Sequence, residues 1–244
     1  EVFTRIYEQK ATQENARYWC CKSMESIAYY KEIEDSGLRP FYIHIFRDGR
    51  DVALSFMRAI VGPKHIYFLA KKWKEEQALS LQLEEHVDKK RFITVRYEDL
   101  IHDAASVVRS ICDKLGIAYS EKAMDYFHSA ESVNTANSGR MWRNVAKPIM
   151  SDNHDKFLRE LSKEQLMIFE RVAGNMLVKL GYKPLYWPDV PAEPFTTEEI
   201  EGFRIEDNIL KHQILAKADP EELKRREPQE ELFRRISARK LKIA

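Results

Sequence analysis

The fold is decided by residues 41–56, which read FYIHIFRDGRDVALSF. The first six of them are β-branched or aromatic at both alternating positions, and this pattern predicts a strand that is buried on both faces. Asp48 and Gly49 then form a tight turn, and an apolar stripe at helical spacing runs from Val52 to Ile60. A strand that leads directly into an amphipathic helix is typical of a parallel α/β sheet.

The same alternation of strand and helix extends to both sides of this stretch. Residues 17–22 (RYWCCK) predict a short buried strand, and residues 91–97 (RFITVRY) predict a second clear one. Helices are predicted at residues 67–87, 104–115 and 162–181. Because these helices are long enough to cross over between strands, the sheet is expected to be parallel and flanked by helices.

Charge and composition narrow the classes of function. Forty basic and 39 acidic residues leave a formal net charge of +1, which gives no overall field to attract nucleic acid or an anionic membrane. No apolar run is long enough to span a bilayer. Cys20, Cys21 and Cys112 fit neither a disulfide framework nor a zinc site, which favours a reducing compartment, although the Golgi lumen stays open. We therefore expect no nucleic-acid partner, no membrane segment in this chain and no metal.

The composition changes after Trp187. Three prolines between residues 188 and 194 predict a stiff, extended linker, and charge-rich helices are predicted after it. We expect residues 1–187 to form one domain and residues 188–244 to form a linker with a charged helical extension. That extension either binds a protein partner or packs as a solvated helix on its own domain.

Arg47 is the first candidate for a binding residue. It follows the strand of residues 41–46, and ligands collect at the carboxyl ends of strands in open parallel sheets. The next helix would offer free backbone N–H groups to a phosphate, and Ser55, two turns on, could join Arg47 on that anion. The alternative is a turn held by surface ion pairs, because acidic and basic residues alternate through residues 47–51.

Two motifs resemble the sulfotransferase superfamily. FYIHIFRDGRDVALSF is similar to that family's 3′-phosphate-binding segment, and RYEDL (residues 96–100) is similar to its Tyr-Glu-Asp-Leu at a strand end. The matches follow the family's order and separation, and together they cover roughly residues 17–182. The resemblance implies that Arg47 and Ser55 hold the 3′-phosphate of 3′-phosphoadenosine-5′-phosphosulfate (PAPS), with Tyr97 near the adenine. It also implies a P-loop-NTPase-like parallel sheet flanked by helices.

Two further stretches extend this resemblance. RYWCCKSM (residues 17–24) resembles the strand whose lysine lies near the sulfonate, so Lys22 is a candidate catalytic residue that would neutralise charge on the bridging oxygen. A surface lysine at a strand end is the alternative. SGRMWRN (residues 138–144) resembles the late stretch that closes over the nucleotide, which makes Arg140 and Arg143 candidates for further phosphate contacts.

The sequence also departs from the family's pattern. Nothing before Tyr18 resembles the glycine-rich loop that cradles the 5′-phosphosulfate, so we expect this sequence to lack that loop. Some relatives place a histidine base two residues after the lysine, where this sequence has Met24, and others place a glutamate where it has Cys21. His44 is interpreted as a structural histidine. No general base is assigned.

Two functions stay open. One is transfer of a sulfonate group from PAPS to a hydroxyl or amine acceptor, provided that the full-length protein has the missing loop. The other is a non-catalytic subunit with a sulfotransferase fold, which acts as a structural or interaction module in a larger assembly. A nucleoside-phosphate kinase would also need the sequence G-x-x-x-x-G-K-[ST], which is absent here.

Overall fold

The computed structural model describes residues 2–23, 25–191 and 193–240, and it divides into two units, residues 1–40 and residues 41–244. The strands are β1 (Tyr42–Phe46) and β2 (Phe92–Arg96). The α-helices are α1 (Val2–Gln13), α2 (Tyr30–Asp35), α3 (Gly49–Arg58), α4 (Ile66–His86), α5 (Tyr97–His102), α6 (Ala104–Leu115), α7 (Ala130–Ser138), α8 (Phe157–Glu160), α9 (Lys163–Lys179), α10 (Thr197–Ala216) and α11 (Pro220–Lys240). The 3₁₀ helices span Ser26–Tyr29, Lys89–Arg91, Glu121–His128 and Arg140–Ala146.

In the unit of residues 1–40, the strand predicted at residues 17–22 is wrong, since that stretch is irregular. Its side chains pack on α1 instead. The rings of Trp19 and Tyr7 stack with centroids 4.5 Å apart, and the Tyr7 hydroxyl donates to the Cys21 Sγ at 3.3 Å. A strand needs a neighbouring strand for its backbone hydrogen bonds, and the described residues of this unit contain none. Met24 lies outside the described residues.

In the unit of residues 41–244, β1 and β2 pair in parallel, with Phe46 opposite Arg96. The described residues thus form a mostly helical α/β fold with a small parallel sheet. The prediction that β1 is buried on both faces is wrong, because Ile43 and Ile45 are 39% and 53% exposed. The helices that cover the sheet contact the opposite face, which Phe46 shares with Tyr42 and His44.

The core of this unit lies between β1, α3, α4 and α9. Phe46 meets Trp73 of α4 and Phe169 of α9 in one apolar cluster. Gly49 at the start of α3 lies so close to α4 that a Cβ there would overlap the Trp73 ring. The helices predicted around α4, α6 and α9 are confirmed, and a capping box between Ser162 and its N3 residue begins α9.

Residues after 187 pack against the residues before them. Phe203 of α10 stacks on His65 with ring centroids 4.5 Å apart. Asp207 of α10, which is only 4% exposed, accepts the backbone N–H groups of Lys64 and His65 at 2.5 and 2.8 Å. At the start of α11, Glu222 accepts the backbone N–H of Arg140 at 3.0 Å. The boundary at residue 187 stays a prediction.

None of the helices in the described ranges combines the length and the apolar character that a membrane span requires.

Candidate functional site

The parallel register brings Arg47 and Tyr97 together. Phe46 lies opposite Arg96 at the last position of the two strands, so the next residue of each strand emerges at the same edge of the sheet. The Arg47 guanidinium lies over the Tyr97 ring, 4.7 Å from its centroid. The indole N–H of Trp73 donates to the Arg47 carbonyl oxygen at 3.3 Å and holds the backbone at this turn. Two of the residues predicted to bind the nucleotide therefore contact each other.

Asn153, which the sequence did not single out, connects both of these residues. Its backbone carbonyl accepts a hydrogen bond from Arg47 Nη2 at 2.8 Å, and its side-chain Nδ2 donates to the Tyr97 hydroxyl at 2.7 Å. Asn153 lies 106 residues after Arg47 in an irregular segment before α8. No local sequence pattern marks such a residue, because its role depends on a contact between distant parts of the chain.

The Arg47 guanidinium keeps unused hydrogen-bonding capacity. Its Nη2 lies 3.4 Å from the Asp51 carboxylate, which is long for an ion pair, and Asp51 also accepts the backbone N–H of Phe157 at 3.0 Å. The Nε of Arg47 is buried and has no hydrogen-bond partner among the described residues. A buried donor without an acceptor is costly, so an anion placed beside Arg47 would stabilise it.

Two backbone N–H groups at the start of α3 are already bonded, although the sequence predicts that they are free for a phosphate. The Asp48 carboxylate accepts the backbone N–H of Arg50 at 2.9 Å, and the Glu98 carboxylate accepts the backbone N–H of Asp48 at 3.1 Å. Arg50 is buried between Asp48 and Glu170, with ion pairs of 2.7 and 2.9 Å. Burial raises the pKa of Asp48, although Arg50 opposes this shift. The turn thus contains ion pairs, but they are buried rather than on the surface as the alternative expected, and the role of Arg47 stays a prediction.

Glu98 of the RYEDL motif has a structural role as well. Its second oxygen accepts hydrogen bonds from the Tyr182 hydroxyl at 2.8 Å and from Arg96 at 3.3 Å. Burial and this bond to Glu98 raise the pKa of Tyr182 far above its usual range. Glu98 thus connects the end of β2 to the turn before α3 and to the segment that follows α9. It keeps Arg47 and Tyr97 at one edge.

The remaining predicted residues lie elsewhere. Ser55 is exposed on α3. Lys22 belongs to the unit of residues 1–40, where it is exposed in irregular chain. Arg140 and Arg143 are exposed on the 3₁₀ helix Arg140–Ala146. These assignments stay predictions.

Tyr126 contacts the chain at the end of the 3₁₀ helix Arg140–Ala146 and is also a neighbour of Tyr97, which follows β2. Its hydroxyl donates to the carbonyl oxygen of Lys147, the residue that follows that 3₁₀ helix, at 2.9 Å. Burial raises the pKa of Tyr126, and the neighbouring Tyr97 raises it further. The segment that carries Arg140 and Arg143 therefore ends in the neighbourhood of Tyr97.

A cleft of about 390 Å³ lies beside the same 3₁₀ helix. The start of α11 forms one wall of it, so residues of the C-terminal segment share the cleft with the two predicted arginines. The cleft is lined by Ala136, Asn137, Gly139, Arg140, Arg143, Ala146, Asp219, Glu222 and Arg225. Neither Arg225 nor Glu222 was indicated by the sequence, since the cleft forms only when distant segments pack.

His44 is structural, as its position in β1 predicts. Its Nε2 lies 3.0 Å from the Gln77 Oε1 of α4, which fits a neutral ring that donates there. Burial lowers the pKa of His44, while Gln77 and the nearby Glu84 oppose the shift. Within the described ranges, no group of three or more His, Cys, Asp or Glu side chains is arranged to hold a metal ion.

A family model and solved structures both match this chain. A family model described as the sulfotransferase family matches residues 1–121. A sulfotransferase domain of the olefin synthase from Synechococcus PCC 7002 is 25% identical over 55% of this chain and 49% of that chain, with a TM-score of 0.40. The chain thus spans about half the length of that solved domain, and the TM-score is too low to bear on the arrangement of the site. No curated protein sequence matches the chain.

Proposed function

Because residues 1–121 match a model of the sulfotransferase family, we propose that the chain binds PAPS and takes part in transferring the sulfonate group to a hydroxyl or amine acceptor. The observation that carries this proposal is the buried, unpartnered Nε of Arg47, whose guanidinium lies over the Tyr97 ring at the carboxyl edge of β1 and β2. The proposal includes the P-loop-NTPase-like sheet expected for this superfamily, with β1 and β2 as two of its strands.

Arg47 would hold the 3′-phosphate of the donor. A guanidinium presents its N–H groups in a planar fork that matches two phosphate oxygens, and a phosphate oxygen would give Nε the acceptor it lacks. Ser55, on the helix that Arg47 precedes, would add a hydroxyl donor, and Tyr97 would lie near the adenine. Asn153 would position both Arg47 and Tyr97 through its two hydrogen bonds.

The transfer itself would be an in-line displacement at sulfur. The acceptor oxygen or nitrogen forms a bond to sulfur while the bond from sulfur to the bridging oxygen breaks, and the leaving phosphate carries away the negative charge. Cations that lie close to the bridging oxygen would stabilise that charge as it develops. The role of Lys22 in this step follows from its motif alone, and no described residue is assigned as the base that removes the acceptor's proton.

One observation favours the non-catalytic alternative. Two backbone N–H groups at the start of α3 are already bonded by the chain's own carboxylates, because Asp48 accepts the N–H of Arg50 and Glu98 accepts the N–H of Asp48. Arg47 also donates to the Asn153 carbonyl. A subunit that keeps the fold for assembly alone would be stable in this state without any nucleotide.

Calorimetric titration with 3′-phosphoadenosine-5′-phosphate tests the proposal. We expect the wild-type chain to bind and Arg47→Ala to bind about ten- to hundredfold more weakly, because a hydrogen bond to a charged group contributes about 1.5–3 kcal/mol. Arg58→Ala is the matched control, since Arg58 lies on α3, is exposed and pairs with Glu160 on the surface. It should bind like the wild type.

The outcomes separate the two functions. An affinity that Arg47→Ala leaves unchanged contradicts the assigned phosphate site. No binding by the wild-type chain favours the non-catalytic subunit. An equal loss in Arg58→Ala means that general charge rather than the Arg47 site attracts the nucleotide, and it contradicts the proposal as well.

A further inference from the structure

The cleft beside the 3₁₀ helix Arg140–Ala146 has a wall that no sequence motif predicts. Arg140 and Arg143 come from the 3₁₀ helix, while Arg225 comes from α11, about 80 residues later. Three arginines thus line one cavity of about 390 Å³. A volume in this range is typical of sites for small molecules, which span about 300–1,000 Å³.

The three arginines outnumber the two carboxylates that line the same cleft, Asp219 and Glu222. Within the described part of the chain, the guanidinium groups of Arg140, Arg143 and Arg225 make no hydrogen bond or ion pair. The two carboxylates in the cleft are engaged with backbone N–H groups instead. Asp219 accepts the N–H of Glu221 at 3.0 Å, and Glu222 accepts the N–H of Arg140 at 3.0 Å. The exposed arginine side chains can therefore bind an external anion without breaking a bond within the described part of the chain.

Glu222 holds the two walls in place. Only 5% of this residue is exposed, and its carboxylate connects the first residue of the 3₁₀ helix to the first turn of α11. Gly139 permits this approach, because a Cβ there would lie 2.6 Å from Glu222 Oε1. The cleft is thus built by a buried contact between two segments, and Arg225, one turn after Glu222, is fixed at its border.

We propose that this cleft binds a small molecule that carries two or more phosphate or sulfate groups, with Arg225 of α11 as one of its three cationic contacts. Guanidinium groups recognise the tetrahedral oxygens of either group through paired N–H donors. The ligand is either the phosphate-bearing nucleotide of the proposed function or a separate anion such as an acceptor that carries a sulfate or phosphate. In both cases, the C-terminal segment contributes directly to binding.

Titration of the full chain with inorganic pyrophosphate at low ionic strength tests this site. We expect Arg225→Ala and Arg143→Ala each to weaken binding about fivefold, which corresponds to about 1 kcal/mol at 1.4 kcal/mol per tenfold. Arg226→Ala is the matched control, because it removes the same charge from the next residue of α11, which does not line the cleft. It should bind pyrophosphate as the wild type does.

Arg47→Ala keeps this test independent of the proposed function. That variant should retain pyrophosphate binding if the cleft is a site of its own. Wild-type affinity in Arg225→Ala, or an equal loss in Arg226→Ala, overturns the proposal. Binding that Arg47→Ala loses and Arg225→Ala keeps would also overturn it, because the anion would then lie at Arg47.

A second titration, with 3′-phosphoadenosine-5′-phosphate, identifies the source of the anion once pyrophosphate binding depends on Arg225. A loss of nucleotide affinity in Arg225→Ala means that the cleft takes a phosphate of the sulfonate donor. Unchanged nucleotide affinity means that it takes a different phosphate- or sulfate-bearing molecule. Both results support the cleft as an anion site, and they differ only in the ligand.

Discussion

At the scale of single residues, the site depends on polar groups that are buried unequally. Arg50 is buried with two carboxylate partners and stabilises the turn after β1. Burial alone would lower the pKa of Arg50, but Asp48 and Glu170 raise it overall. Arg47, only three residues earlier, keeps a buried donor without an acceptor. Neighbouring arginines in one motif therefore have different roles, and the difference follows from their partners.

The pH dependence of stability is expected to report on His44. Burial lowers the pKa of His44 in the folded state, whereas the unfolded chain keeps a value of about 6.5. Below that pH the unfolded state binds more protons, so the free energy of unfolding falls as the pH decreases from 7.5 towards the folded-state pKa. One such group contributes at most about 1.4 kcal/mol per pH unit. Urea unfolding at pH 7.5 and 5.5 measures the decrease.

His44→Asn should reduce this decrease, and His212→Asn should leave it unchanged, because His212 is exposed on α10. Part of the decrease will remain in His44→Asn, since burial also lowers the pKa of His65 in spite of Glu206 and Asp207. A decrease of full size in His44→Asn would show that His44 is not the group that titrates.

At the scale of elements, buried side chains hold helices to loops. The Lys64 ammonium group lies 2.6–3.2 Å from the carbonyl oxygens of residues 56, 61, 62 and 63, among which it shares its three N–H donors, and so it closes the loop after α3. Asp207 of α10 then accepts the backbone N–H groups of Lys64 and His65. Burial would raise the pKa of Asp207, but Lys211 and these N–H groups lower it overall.

Asp207→Ala should destabilise the protein by about 2 to 3 kcal/mol, because it leaves two buried backbone N–H groups without an acceptor. Glu201→Ala is the control on the same helix. Glu201 forms an exposed ion pair with Arg204, so its loss should cost only about 0–1 kcal/mol. Chemical denaturation of both variants gives the comparison, and equal losses would mean that Asp207 does not hold α10 in place.

At the scale of the whole molecule, the question is how the segment after Trp187 is joined to the unit of residues 41–244. Two helices of this segment contact earlier parts of the unit, α10 through Asp207 and α11 through Glu222. Phe195 adds a ring contact with Tyr67, 5.4 Å between centroids, and lies 3.8 Å from the Arg171 guanidinium. These contacts argue that the segment contributes to stability.

Truncation decides the boundary at residue 187. A chain that ends at Trp187 should have a thermal midpoint roughly 5 °C or more below that of a chain that ends at Ala216, since 1 kcal/mol shifts the midpoint by about 2–4 °C in a domain of this size. The longer version retains Asp207 and the aromatic contacts of Phe203. Equal midpoints would support residues 188–244 as a separate extension.

Most of the local structure follows from the sequence by itself. The strand run of residues 41–46, the cap at Ser162 and the glycine at residue 116, with φ of 67°, each act within a few residues of the chain. The proximity of Arg47 to Tyr97 follows as well, because the carboxyl ends of paired parallel strands meet at one edge. These features need only short-range physics and one rule of topology.

Only the tertiary structure decided which distant residues contact each other. Asn153 reaches Arg47 across 106 residues, Glu222 reaches Arg140 across 82, and Asp207 reaches Lys64 across 143. The run of residues 17–22 has the composition of a strand, yet Trp19 packs on α1, because the described residues of its unit form no strand that could pair with it. A side chain's partner and a strand's neighbour both come from distant segments, so the local pattern cannot specify them.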